Sequence, residues 1–133
     1  PPLSQRGPPA MIALGTDILE LERITAVVER LGERFVQRIL TPAERAEYAA
    51  SHHAVRLLAK RFAAKEAVAK ALGTGIGRGV SWQDIEVQHD AFGAPRVVLS
   101  GGAAEVARHR GGTTVLLSLA DEQAYVVAFA ALQ

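Results

Sequence analysis

The 133 residues contain no cysteine, which rules out both a disulfide framework and a thiolate metal site. Aromatic side chains are scarce, with one Trp, two Tyr and four Phe. The core must therefore be assembled largely from Ala, Val and Leu, and a stacking platform for single-stranded nucleic acid has little to draw on. An excess of one charge sign is lacking as well. Fifteen Lys and Arg stand against fourteen Asp and Glu, a formal net charge of +1, whereas a nucleic-acid binder of this size carries a marked basic surplus. No apolar run approaches the roughly 18 residues of a membrane-spanning helix. These absences point to a soluble cytoplasmic protein that engages neither nucleic acid nor membrane.

What is present fits one domain with a modest core, 49% of the chain being hydrophobic. Four prolines crowd the stretch Pro1–Ala10 ahead of Met11. That stretch reads as a disordered extension or cloning remnant, with a single domain over residues 11–133. Ile12 to Asp17 alternates as a short strand. A helix carrying Ile24, Val27, Val28 and Leu31 stops at Gly32, and a second helical piece covers residues 33–40. Thr41-Pro42-Ala43-Glu44 is a capping box with proline in the first turn, so another helix starts there. A long alanine-rich helix spans residues 54–72 and ends at Gly73. The second half reads as a hairpin around Asp90-Ala91-Phe92-Gly93, a short helix over residues 102–110, and two apolar strands around Asp121-Glu122-Gln123. Helices first and hairpins after give an α+β class: an antiparallel sheet packed with one long and several shorter helices.

Several groups of residues carry possible chemistry. Glu66 falls in the middle of the long helix's apolar face, with Val55, Leu58, Ala59, Phe62 and Ala69. An ionised carboxylate there needs a partner, either a metal ion or Lys70 one turn on; a plain ion pair accounts for the spacing equally well. Arg61 and Lys65 flank that face, as two cations suited to a polyanion or as a solvated basic flank. Asp17, where the first strand meets the first helix, reads either as an N-cap completed by Glu20 or as one arm of a magnesium site. The glycine run Gly73-Thr74-Gly75-Ile76-Gly77-Arg78-Gly79 follows a helix, so it is not a P-loop, which needs strand, loop and then helix. Arg23, Arg30 and Arg34 share an exposed face if the helix continues past Gly32, which reads either as a solvated basic face or as a docking surface for an acidic partner. His52, His53, His89 and His109 lack metal-ligand spacing and read as non-catalytic.

Leu14-Gly15-Thr16-Asp17-Ile18, Arg38-Ile39-Leu40-Thr41 with Glu44, and Arg61-Phe62-Ala63-Ala64-Lys65-Glu66-Ala67 through Lys70-Ala71-Leu72-Gly73-Thr74-Gly75-Ile76 resemble the holo-acyl-carrier-protein synthases. Trp82-Gln83-Asp84-Ile85-Glu86-Val87 and Gly93-Ala94-Pro95 extend the resemblance. It implies the phosphopantetheinyl transferase fold and the transfer of phosphopantetheine from coenzyme A to a carrier-protein serine, with release of adenosine bisphosphate. By the same resemblance Asp17 and Glu66 hold Mg²⁺, and Asp17, Glu66 and Lys70 are catalytic. Arg61, Lys65, Gly73, Thr74 and Gly75 bind coenzyme A, and Arg23, Arg30 and Arg34 receive the acyl carrier protein. The resemblance further implies a homotrimer with active sites at its interfaces. The base for the serine is left open between Glu66 and a metal-bound water. A catalytically silent carrier-binding module of the same fold is the alternative. One departure stands out: many members carry a histidine where this chain has Asp121.

Overall fold

The computed structural model describes residues 10–133, so the expected disorder of the proline-rich start lies, but for Ala10, outside the described residues. The element order is β1 (Ala13–Glu20), α1 (Leu21–Leu31), α2 (Glu33–Ile39), α3 (Pro42–Ala50) and α4 (Ala54–Leu72). A short 3₁₀ turn (Trp82–Asp84) leads into β2 (Ile85–His89), β3 (Pro95–Leu99), α5 (Gly101–His109), β4 (Val115–Asp121) and β5 (Tyr125–Leu132). An antiparallel sheet ordered β1-β5-β4 forms one layer, and β2 and β3 form a separate hairpin. This is the α+β arrangement that the sequence pattern indicates.

Local chemistry explains the element ends. Gly32 adopts φ 61° and ψ −139° and separates α1 from α2, a conformation that glycine reaches without steric cost. Thr41 and Glu44 form the reciprocal capping box at the start of α3, with Pro42 in its first turn. Gly73 closes α4 in the left-handed region.

The sheet buries one face only. On β5, Val126, Ala128, Ala130 and Leu132 are buried, while Phe129 points away and is 56% exposed. On β1, Gly15 and Leu19 face inward, while Leu14 and Ile18 are 64% and 65% exposed. Helix α4 lies across the inner face against β1 and β5. Its Ala59, Ala63, Ala67 and Ala71, all at 0% exposure, recur every four residues and allow helix and sheet backbones to approach closely.

Candidate active site

Asp17 does not cap α1. It lies within β1, paired with Ala128, and α1 starts four residues later behind Glu20, which makes no side-chain cap. Strand alternation places Asp17 on the same side as Gly15 and Leu19, facing α4. A Cβ on Gly15 would run into the backbone of Ala67 and Ala71, so glycine is what permits α4 to sit directly on β1. Glu66 and Lys70 each immediately precede one of those two contact residues. The close approach therefore brings both to Asp17.

Lys70 Nζ donates to Thr16 O at 2.9 Å and to Asp17 Oδ1 at 3.1 Å. The Asp17 side chain is 16% exposed and that of Lys70 48%, so the pair sits at the lip of a cleft. An ammonium has three donors, and the third Lys70 N–H has no partner among the described residues. Glu66 is half-buried. Burial pushes its carboxyl above the ordinary value, the Asp17 charge adds to the shift, and Lys70 opposes it. Two carboxylates that repel each other, with one half-exposed lysine as partial compensation, form a site short of positive charge.

That shortage fits a divalent cation. Magnesium is commonly held by one or two carboxylates with substrate phosphates and waters completing the shell. No cluster of three or more His, Asp or Glu suited to a metal occurs among the described residues; the two carboxylates that could hold one together are Asp17 and Glu66.

Lys65 departs from the sequence reading. It is fully buried, and its ammonium donates to Ile39 O at 2.6 Å, Glu44 Oε1 at 2.6 Å and Trp82 O at 3.0 Å. All three donors are taken up, leaving none for a phosphate. Glu44 is equally buried and also accepts from the Thr41 and Val87 amides. Burial drives the Lys65 pKa below the usual lysine range, with Glu44 opposing it. The pair ties α2, α3, α4, the 3₁₀ turn and β2 together beneath the site.

Arg61 is also buried, at 3% exposure, yet it lines a cavity of about 300 Å³ with Ser51, His53, Arg56, Leu57, Lys60 and His89. One guanidinium nitrogen meets Glu47 at 3.3 Å and His89 Nδ1 at 3.5 Å, and Nε has no partner among the described residues. Burial, the Arg61 charge and that of Lys60 lower the His89 pKa, against Glu47 and Asp90. A buried, under-satisfied guanidinium among further cations suits an anion. The sequence does not single out Arg56 or Lys60, and it marks His53 and His89 only as non-catalytic. The only signal was the recurrence of Arg56, Lys60 and Arg61 at helical spacing.

The Gly73-Thr74-Gly75 loop follows Lys70 at the end of α4. The Gly73 amide donates to Lys70 O, and those of Thr74 and Gly75 donate to Ala69 O. These amides terminate the helix, so the loop can offer close backbone approach rather than a nest of free N–H groups. Arg23 and Arg30 are exposed on α1. Arg34 is exposed on α2, beyond the break at Gly32, so the three do not lie on one continuous helix. Among the described residues none of the three forms an ion pair.

Comparison with known proteins identifies the family and the fold. Residues 13–130 match the family model of the 4'-phosphopantetheinyl transferase superfamily. The chain is 57% identical over 123 residues to the holo-[acyl-carrier-protein] synthase of Shewanella amazonensis, covering 92% of this chain and 98% of that one. The crystal structure of the Neisseria meningitidis holo-[acyl-carrier-protein] synthase superposes with a TM-score of 0.88 at 41% identity, over 93% of this chain and 99% of that one. The Helicobacter pylori synthase in complex with coenzyme A gives 0.79 at 28% identity, over 90% and 99%.

Proposed function

Because the chain belongs to the 4'-phosphopantetheinyl transferase superfamily, among the holo-[acyl-carrier-protein] synthases, we propose that it moves phosphopantetheine from coenzyme A to an acyl carrier protein serine. The serine oxygen attacks the β-phosphorus, the bond to the bridging diphosphate oxygen breaks, and adenosine 3',5'-bisphosphate leaves with that oxygen. The observation that carries this reading is the meeting of Asp17, Glu66 and Lys70 at one lip of the α4–β1 contact.

Asp17 and Glu66 are the residues that would hold Mg²⁺, which when bound neutralises the diphosphate and orients it for in-line attack. Lys70, anchored by Thr16 and Asp17, keeps a third N–H for a phosphate oxygen and offsets charge that grows there during transfer. The serine proton passes to a carboxylate oxygen of Glu66, directly or through one water. The basic cavity around Arg61, with its unpartnered Nε, is the place for the 3'-phosphate of coenzyme A. Lys65 is left out of the ligand contacts, because its donors are already taken.

Arg23 and Arg30 on α1, with Arg34 beyond the bend, present positive charge to an acidic carrier surface. The apolar outer face of the sheet, where Leu14, Ile18, Leu116 and Phe129 are each more than half exposed, supports self-association. The assembly we propose is a homotrimer with active sites at its interfaces, acting in the cytoplasm.

The test is to incubate the protein with an apo acyl carrier protein, coenzyme A and magnesium and to weigh the carrier. Gain of one phosphopantetheine, lost on chelation, is the expected result. No gain, with the carrier still bound, would leave a catalytically silent docking module.

A further inference from the structure

The acid at position 121, which the resemblance marks as a departure from the histidine of many members, is not idle. Asp121 Oδ2 accepts from an Arg56 guanidinium nitrogen at 3.0 Å. The same nitrogen donates to Glu122 O at 2.7 Å, and the second terminal nitrogen donates to Gln123 O at 3.2 Å. The β4–β5 turn thus grips Arg56 through three acceptors in consecutive residues. Both partners of the ion pair are only about one-third exposed, at 34% and 35%.

The position of Arg56 gives that grip a consequence. Arg56 lines the basic cavity together with Arg61, Lys60 and His89. It also lines a neighbouring cavity of about 390 Å³ with Leu21 and Thr25 of α1 and with His52, His53, Ala54 and Val55. Arg56, together with His53, is therefore shared by the cavity assigned to the 3'-phosphate and the one that reaches the helix assigned to the carrier protein. A guanidinium has five N–H donors, and three bonds to the turn leave two for a ligand.

We propose that Asp121 is a positioning residue that holds Arg56 on the wall of the basic cavity, with two donors directed at the 3'-phosphate of coenzyme A. This rests on the placement of that phosphate beside Arg61. Two carbonyls alone leave a long side chain free to trade partners with water. The carboxylate adds a charge-assisted bond that fixes one arrangement, so the ligand need not order the side chain on binding. The negative charge of Asp121 also opposes a phosphate, but it lies outside the cavity lining and is partly solvated. The gain from orientation is expected to exceed that repulsion.

Calorimetric titration with adenosine 3',5'-bisphosphate and with 5'-AMP tests this without requiring turnover. In D121A, affinity for the bisphosphate falls roughly 3- to 10-fold and that for 5'-AMP stays within twofold. R56A shows the same selectivity, the double variant is no weaker than R56A alone, and D121E recovers part of the loss. Unchanged or tighter binding of the bisphosphate in D121A overturns the proposal. So do additive losses in the double variant, or equal losses for the two nucleotides. A wild-type protein that binds the bisphosphate but transfers nothing to the carrier refutes the proposed activity while leaving this role standing. One that binds neither nucleotide refutes both.

Discussion

Replacing Lys65 by methionine separates a lysine that binds phosphate from a lysine that holds the core. Methionine keeps an unbranched chain of similar length and removes only the ammonium. Glu44 would remain fully buried with two backbone amides and no counter-cation, and the carbonyls of Ile39 and Trp82 would each lose a donor. Breaking a buried pair by removing one partner costs about 3–5 kcal/mol. Against a total stability of roughly 5–15 kcal/mol, that is a large share. At roughly 3–5 °C per kcal/mol for a domain of this size, the melting temperature falls by about 9–25 °C. Changing Glu44 to Gln in the same protein removes the stranded charge while keeping an acceptor for one amide, so K65M/E44Q regains part of the loss. Urea unfolding of both variants, with the slope checked for constancy, reads these differences. Titration with adenosine 3',5'-bisphosphate below the transition reads the ligand. A K65M protein that loses less than about 1 kcal/mol while its nucleotide affinity drops tenfold would refute the core placement and return Lys65 to the binding surface.

Glu66→Gln abolishes transfer to a carrier protein by at least about 100-fold, measured by carrier mass, and leaves the fold intact. Because the native state holds the Glu66 proton more tightly than the unfolded chain does, ionising Glu66 costs stability above its raised pKa, and that cost fades as pH falls toward the ordinary value of 4.5. The variant should therefore melt higher than the wild type at neutral pH, with the difference vanishing in acid; a lower melting point at neutral pH contradicts the repulsion from Asp17. Gly15→Ala forces a methyl group into the backbone of Ala67 and Ala71 and costs about 1–3 kcal/mol. It slows transfer as well, since it moves Asp17 off Glu66, and thermal melting with rates unchanged from wild type would refute the close-approach argument. Charge reversal at Arg23 or Arg30 weakens carrier binding several-fold in low salt with nucleotide affinity unchanged, and equal losses for both ligands would remove α1 from the docking surface.

Much of this layout was legible because its signals are local. The capping box at Thr41 and Glu44, the stop at Gly32 and the left-handed Gly73 each need only neighbouring residues, and each is where the sequence places it. The alternation predicts a β1 that ends three residues short of Glu20, because an aspartate is disfavoured inside a strand and Asp17 reads as the strand's end. Its place is legible only once α4 is seen to lean on Gly15. The burial of Lys65 and Arg61 was hidden by alanine. With small apolar residues all around α4, no face of the helix reads as solvent, and charged side chains between them look like its exposed flank. The partner of Lys65 was hidden differently: Glu44 already had a complete local role as a capping residue, and nothing nearby hints that the same carboxylate also serves a lysine 21 residues away. The order β1-β5-β4 pairs the two ends of the domain and leaves no mark on either strand alone.

The adjacency of Lys65 and Glu66 also limits how this chain can change length. One residue is pinned on the side of α2 and α3, and the next is held on the side of β1, about 100° around the helix. Loops at either end of α4 can take up added or lost residues. Ahead of Glu66 within the run from Arg61, a single insertion or deletion would rotate the downstream part by that same angle: an insertion sends Glu66 into the space of Ala67, and a deletion sends it into the buried space of Lys65 with Ala67 in the cleft. Length variation among functional descendants of this sequence should therefore fall in the β2–β3 turn and around α5, and leave the central helix uninterrupted.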